Sequence, residues 1–560
     1  VVITPTRVLF GPPQAMLANR LLREYGDRVS FLRVSFCSEN LDELNDAEQL
    51  NECISRVFEG GIRIGSRRYR LLGWSNSQMR GRSCWFYHSA SVTVDQIRRW
   101  VGNLDAVYAK GGIAKYASRL ALAFSSSRPT VRVSRSALAT LPDVERNGFC
   151  FTDGSGQITL SFARLLAEKL QLPSFLQQHP PSAYQIRFGG AKGVLVVNPS
   201  LPDGGCHPQI YLRPSQVKFE SEYSMMEVLS YAKPTDCYLN QQIVLLLCSC
   251  RVPEQAFLRV VERGLEEKAR TLLEPLASAA YLRRVGFNIP ASAVSDAQGG
   301  FDPLVEPFFS RLLQNHYRAE ARKIRKRTAV RVAKGRTLLG IPDDFGVLRE
   351  NEVFVRITKP DHLRPHEASA VEHIDGPLSA CEVIRGPVTV TKNPCLHPGD
   401  IRLPTAVDGE EVRQKLGHLR DVVVFSTEGD RDMPNKIAGS DLDGDMYHVC
   451  WEPSLRPQVI HDPMDYSEST NEPLRPDEDE TLEDQLREYF KRSCSSASLG
   501  QIANAHKVFA DMEGAECKKS LALARCHSDA VDFPKTGVPA QVPDDCRPKE
   551  WPDFMEKTDK

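Results

Sequence analysis

The residues best suited to chemistry crowd into Gly439-Ser440-Asp441-Leu442-Asp443-Gly444-Asp445-Met446-Tyr447. Asp441, Asp443 and Asp445 fall at i, i+2 and i+4. In an extended chain those positions point to one side, so three carboxylates converge. Left alone they repel and raise one another's pKa; a divalent cation resolves the conflict. Oxygen-only ligands select a hard ion, Mg2+ or Mn2+. The spacing also opens an EF-hand loop, with Glu452 at its closing position. Met446, however, stands where that loop needs Gly, and Tyr447–Trp451 reads as a buried strand. An Asp-rich turn between strands at Val422–Phe425 and Met446–Trp451 is the plain structural alternative.

A hard ion held by clustered aspartates works on phosphates. Two such ions can activate a hydroxyl, stabilise an in-line phosphoryl transition state and neutralise the leaving group. The aspartates alone do not choose between synthesis and hydrolysis; basic residues that grip a triphosphate favour synthesis. Arg187 and Lys192 flank Gly189-Gly190, where missing side chains let a phosphate approach the backbone. The spacing is not that of a Walker A loop. Lys218, in Arg213-Pro214-Ser215-Gln216-Val217-Lys218, is a third candidate. Each of these single basic residues also reads as an ordinary solvated charge.

The elements that must carry these groups follow from the surrounding texture. Short apolar runs between Gly and Pro clusters predict strands from about 148 to 220, among them Tyr184–Phe188 and Gly193–Val197. Leu229, Ile243, Leu247, Phe257, Val260, Val261 and Leu265 then fit helices with one buried face, up to about 332. Pro342 and Gly346 reopen a β region through Val353–Val355, Val388–Val390, Val422–Phe425 and Met446–Trp451. Two β regions thus lie on either side of a helical stretch. Before them, Val8–Phe10, Val29–Val34 and Arg68–Leu72 read as strands and Val94–Trp100 as a helix, closed by a break at Ser125–Pro129. Beyond Pro463 an acidic loop, Asp477–Asp484, leads to helices at Leu499–Asp511 and Glu516–Val531.

At 560 residues, and about 150 per domain, the chain has room for three or four units. Apolar residues make up 41% and charged ones 26%, a soluble globular composition rather than a disordered one. The longest apolar run, Ile243–Cys248, is far too short to span a membrane. No signal peptide is evident, and the absence of an initial Met reads as a fragment or processed chain. The 15 cysteines lack paired spacing and read as reduced, buried thiols. Net charge is −1, which excludes a uniformly basic nucleic-acid coat but not a local basic groove. A basic run does occur between Arg318 and Arg336, and a solvated helix face would look the same.

Taken together, these residues resemble a known family. Gly439–Asp445 resembles the DbDGD signature (b bulky) of the eukaryotic cell-encoded RNA-dependent RNA polymerases of RNA silencing. The likeness extends through Leu71–Arg80 ("LGxSxSQLR"), Phe151–Gly156 ("TDGxG"), Gln185–Gly193 ("QIRxGGxKG"), Arg213–Lys218 ("RPSxxKF"), Thr391–Arg402 ("TKNPCLHPGDIR"), Leu499–His506 and Ala530–Gly537. It implies an α+β multidomain fold in which two double-psi β-barrels face each other across the active site. The regions would be an N-terminal slab at 1–130, a first barrel at 131–220, a helical connector at 221–340, a second barrel at 341–455 and a neck at 456–560. A C-terminal head, with any dimer contacts it makes, would be missing.

The resemblance further implies copying of single-stranded RNA into double-stranded RNA for siRNA production, with single-stranded DNA as an alternative template. Asp441, Asp443 and Asp445 would be catalytic and hold Mg2+ or Mn2+. Arg187, Lys192, Lys218, Lys535, Lys392 and Arg402 would bind NTP or RNA phosphates, and the basic part of the connector would lie near the nucleic-acid channel. Expected partners are NTPs, template, and silencing proteins such as Dicer, Argonaute and a helicase, inside the cell in nucleus or cytoplasm, with no membrane. Asn240-Gln241-Gln242 departs from the family's usual Asn-Arg-Gln. A catalytically silent scaffold would have lost an aspartate, whereas a metal-dependent nuclease would shorten RNA without needing NTPs.

Overall fold

The computed structural model describes residues 1–26, 30–204, 207–287, 289, 294, 300–359, 381–466, 480–495 and 499–557. Val29 and the start of the acidic stretch, Asp477–Asp479, lie outside the described residues. At the N-terminus, strands Phe31–Phe36, Arg67–Gly73 and Ser83–Tyr87 form the centre of a six-stranded sheet. Helix Val94–Val101 begins with a reciprocal cap, in which Thr93 accepts from the Gln96 backbone and Gln96 returns to the Thr93 N–H. Leu486, Tyr489 and Phe490, from the helix Leu482–Ser495, pack into the core of this N-terminal region. The far end of the chain thereby closes on its beginning.

A seven-stranded curled sheet follows. Its strands run, in spatial order, Arg128–Arg132, Met225–Tyr231, Ala183–Phe188, Ala191–Val197, Ser155–Ile158, Ile210–Leu212 and Leu138–Thr140. The strand Met225–Tyr231 falls where the apolar spacing around Leu229 predicts helix. Met226 and Val228 alternate into the core behind the sheet, a period of two that a helical reading from Leu229 alone overlooks. The second, nine-stranded sheet is built on the long strand Arg331–Pro342. It pairs parallel with Val422–Phe425 and antiparallel with Met446–Cys450. Along the chain, the helices Gln241–Ser249, Glu254–Leu273, Pro275–Arg284 and Pro307–Arg327 separate the last strand of the first sheet from the strand Arg331–Pro342.

One apolar seam joins the two sheets. Ala183, Val194 and Val196 of the first pack with Leu339, Ile341, Phe354, Val422 and Val424 of the second in a single buried cluster. The helices Glu254–Leu273 and Pro307–Arg327 are clamped by Lys268 and Glu320, 2.8 Å apart, and carry a separate small core around Tyr281, Leu282 and Leu313. They form an arm whose base, at Ile324, leans on the core beside the second sheet.

Candidate active site

The three aspartates do not lie on a strand. Residues 441–445 form a bend between the short helix Met433–Lys436 and the strand Met446–Cys450. Their carboxylates are gathered by this bend rather than by extended alternation. The Asp441 N–H donates to Asp445 Oδ2 at 3.3 Å and the Asp443 N–H to Asp441 Oδ1 at 3.2 Å. Leu442, between them, is 1% exposed and plugs into the core of the second sheet. From below, the buried Tyr447 hydroxyl lies 2.9 Å from Ser440 Oγ and 3.0 Å from the Asp441 carbonyl. The apolar residue between two acids is thus the anchor that aims both outward.

The first sheet supplies the opposing wall. Arg187 and Lys192 are direct cross-strand partners at the end of the hairpin closed by Gly189-Gly190. Gly189 has φ +54°, and a Cβ on Gly190 would sit 1.8 Å from the Phe219 carbonyl, so the turn admits no side chain there. The Lys218 N–H donates to the Gly190 carbonyl at 3.1 Å, which draws the Lys218 segment against the same turn. Lys192 Nζ pairs with the Asp443 carboxylate, and Lys392 Nζ lies 2.7 Å from Asp445 Oδ2. Arg187 donates from Nη1 to its neighbour Ile186, while its buried Nε has no partner.

The two walls touch through backbone. The Leu442 N–H donates to the Asp153 carbonyl at 2.9 Å, and Gln185 Nε2 reaches the Asp443 carbonyl at 3.4 Å. Gly154, with φ +82°, faces the aspartate bend so closely that a Cβ would lie 2.4 Å from that of Asp443. Arg213 adds a buried ion pair across the same junction, 2.6 Å to Asp344.

Electrostatics follow from this crowding. Burial, and then Asp443 and Asp445, push the Asp441 carboxyl well above its usual range. Burial works in the same direction on Asp443, but the Lys192 ammonium and the Arg187 guanidinium outweigh it and hold that carboxyl low. Burial lowers Lys218, against which Asp153 acts to keep it charged. One carboxylate is therefore satisfied by lysine while its neighbour is under strain, a conflict that a cation between them would relieve.

Of the residues singled out from sequence, Asp441, Asp443, Asp445, Arg187, Lys192, Lys218 and Lys392 come together. Arg402 donates to the Ile401 and His461 carbonyls, and Lys535, on an exposed helix end, pairs with Asp532 at 3.1 Å. The sequence reading missed Asp153, although it lies inside the Phe151–Gly156 motif. Arg119 was missed too; it comes from the helix Leu104–Leu120 and acts electrostatically on Asp443 and Lys218. A buried network around Glu227 was also unforeseen. Arg20 donates to Glu227 Oε2 at 2.7 and 3.0 Å and to the Gly189 carbonyl at 2.9 Å, and stacks 4.1 Å over Tyr223. Arg23 pairs with the same carboxylate. Helix Arg20–Tyr25 thus holds the hairpin turn that carries Arg187 and Lys192.

The donor set suits a hard divalent ion, since all three acids are carboxylates and their backbone is already bent around one point. Among the described residues no three acidic, His or Cys side chains close into a metal-binding group, and Lys192 and Lys392 pair with Asp443 and Asp445.

Comparison with known proteins gives a consistent picture. A family model described as RNA dependent RNA polymerase matches residues 3–560. RNA-dependent RNA polymerase 1 of Arabidopsis thaliana is 37% identical over 583 residues, covering 100% of this chain and 49% of that protein. RNA-dependent RNA polymerase 1 of Schizosaccharomyces pombe is 32% identical, covering 99% of this chain and 46% of the other. The chain spans about half the length of these curated relatives. The solved structure of RNA dependent RNA polymerase QDE-1 from Thielavia terrestris superposes with a TM-score of 0.71 at 20% identity, over 93% of this chain and 61% of that one. This likeness concerns the fold, and the α+β architecture with two barrel sheets is the one expected from the sequence.

Proposed function

The chain belongs to the RNA-dependent RNA polymerase family, and on that footing we propose that it copies single-stranded RNA into double-stranded RNA by nucleotidyl transfer. The observation that carries this reading is the meeting of the two walls. Three carboxylates on the bend that leads into the second sheet face Arg187, Lys192 and Lys218 beside the hairpin of the first, and a backbone hydrogen bond from Leu442 to Asp153 ties the two together. Asp441, Asp443 and Asp445 are the residues that would hold Mg2+ or Mn2+, whose Lewis acidity favours ionisation of a 3′-hydroxyl and offsets charge on a leaving pyrophosphate.

The chain's own cations do the rest. Arg187 remains a guanidinium however deeply it is buried, so it offers a fixed positive charge to a triphosphate. Lys192 and Lys392, resting on carboxylates, are positioned to exchange those partners for phosphate oxygens. Such preorganised charge stabilises the transition state more than the ground state. A hydrolytic role would leave a triphosphate grip of this kind without purpose.

The product would feed siRNA production, with silencing proteins of the Dicer, Argonaute and helicase kinds as neighbours in nucleus or cytoplasm. No helix among the described residues is long and apolar enough to cross a membrane. The test is incubation with single-stranded RNA, Mg2+ and labelled NTPs, followed by nuclease probing of the product for duplex character. Incorporation on RNA giving duplex supports the reading. Shortening of RNA without NTPs would replace it with a nuclease, and preference for single-stranded DNA at equal salt would change the template.

A further inference from the structure

The helix Pro307–Arg327 carries an unusual imbalance of charge. It holds seven basic residues and a single acid, Glu320, which is buried and taken up by Lys268 and Lys323. Its antiparallel neighbour Glu254–Leu273 is balanced, with four basic and four acidic residues. A helix face that merely meets water is normally interlaced with opposite charges three or four residues apart. Here the i,i+4 neighbours are alike: Arg318 with Arg322, Arg322 with Lys326, and Lys323 with Arg327. Each such pair costs a helix about 0.2–0.5 kcal/mol. The arm's packing does not require this cost, since its apolar core lies on the other side, at Leu313.

Geometry sorts the basic residues further. At 3.6 residues per turn, Arg311, Arg318, Arg322 and Arg325 fall within an arc of about 60°, in a stripe about 21 Å long. All four are exposed. Arg325 and Lys326 reach Glu556 at the base of the arm. Among the described residues Arg311, Arg318 and Arg322 have no ion-pair partner. The stripe is built from arginine rather than lysine, and the guanidinium fork matches phosphate oxygens in pairs. No member of the stripe shares an ion pair or hydrogen bond with the aspartate site among the described residues.

We propose that this arginine stripe is a second RNA contact, which grips the phosphodiester backbone outside the catalytic cleft. At about 3.4 Å per nucleotide along one strand, the stripe matches roughly six nucleotides. The proposal rests on the polymerase reading for the identity of the polyanion, and on the stripe's own charge and geometry for the contact.

The test measures binding of labelled RNA to the full chain without NTPs, across a salt series. Single-stranded and double-stranded RNA run as separate arms, to tell template from product. The triple variant R311Q/R318Q/R322Q is compared with the unmodified protein. Counterion release predicts that the slope of log K on log salt becomes shallower by about 2 for three lost contacts to a single strand, and by nearly 3 for a duplex. At 0.1 M salt the variant should therefore bind single-stranded RNA about a hundredfold more weakly, or duplex about five-hundredfold, and the two proteins should converge near 1 M. An unchanged slope in both arms overturns the proposal. So does equal competition by poly-glutamate at matched charge, which would assign the stripe to an acidic protein. Because binding is read without NTPs, failure of the polymerase reading in an incorporation assay leaves this comparison standing, and the reverse also holds.

Discussion

Substituting Gly154→Ala tests the idea that the two sheets are spaced by backbone contact. Two effects combine. At φ +82° an alanine pays conformational strain of about 1–2 kcal/mol. The new Cβ would also lie 2.4 Å from Asp443 Cβ, with the Asp443 Cα and N at 2.8 and 2.9 Å, all firmly placed atoms. Relieving that overlap costs about 1–3 kcal/mol as overpacking. It also stretches the Leu442-to-Asp153 hydrogen bond, worth about 1 kcal/mol. Gly148 offers the matched control, because its φ is +80° and nothing lies within 4 Å of its Cβ position. Gly148→Ala should therefore show the strain alone, and Gly154→Ala about 2–4 kcal/mol more. In denaturant titrations the second variant should unfold well before the first. Because a shift of about 1 Å between reacting groups costs on the order of a hundredfold in rate, NTP incorporation should fall that far in Gly154→Ala while Gly148→Ala stays near the parent. If the two variants match in both stability and incorporation, the spacing argument is wrong.

Asp443→Ala should reduce incorporation at least a thousandfold while RNA binding without NTPs stays within a few-fold; retained incorporation would refute the assigned role. Glu227→Ala leaves Arg20 and Arg23 facing each other without their shared carboxylate, so melting should show a loss of about 3–5 kcal/mol. The triple change R20M/R23M/E227M should recover most of that loss in the same melts yet leave a raised KM for NTP, since nothing then holds the Gly189 turn. If KM returns to the parent value, the network is structural only. Burial, assisted by Arg80, lowers His527 to about 4 in the folded chain. Its contribution is thus fully present above the unfolded value near 6.5 and is lost as pH falls toward 4. His527→Gln should flatten the dependence of stability on pH in that window by about 1.4 kcal/mol per unit, and an unaltered slope would count against it.

The sequence made parts of the site legible because they are local. Asp441, Asp443 and Asp445 sit within five residues, and Arg187 and Lys192 bracket a Gly-Gly turn whose hairpin pairing can be read from the apolar runs on each side. It did not reveal how the aspartates converge, because a bend and a strand with the same spacing differ only in backbone torsion, and Gly444 permits the bend at φ +134°. Arg20 and Glu227 were invisible for another reason. They are separated by 207 positions and meet only where the helix Arg20–Tyr25 docks against the strand Met225–Tyr231 of the first sheet. Leu229 misled because one apolar residue supports either period; only its neighbours Met226 and Val228, read together, favour the strand. Asp153 meets Leu442 through its carbonyl, an atom that every residue has, so the acid in the Phe151–Gly156 motif did not announce that contact.

The shared apolar seam carries a mechanical consequence. Ala183, Val194 and Val196 are locked against Leu339, Ile341 and Phe354, so prising the halves apart would wet that surface at about 25 cal/mol per Å2. The groups on either bank of the cleft therefore ride as one block. On the proposed polymerase reading, breathing that would admit a building block falls to peripheral loops and helices, and the alignment of acids and bases is kept by the seam.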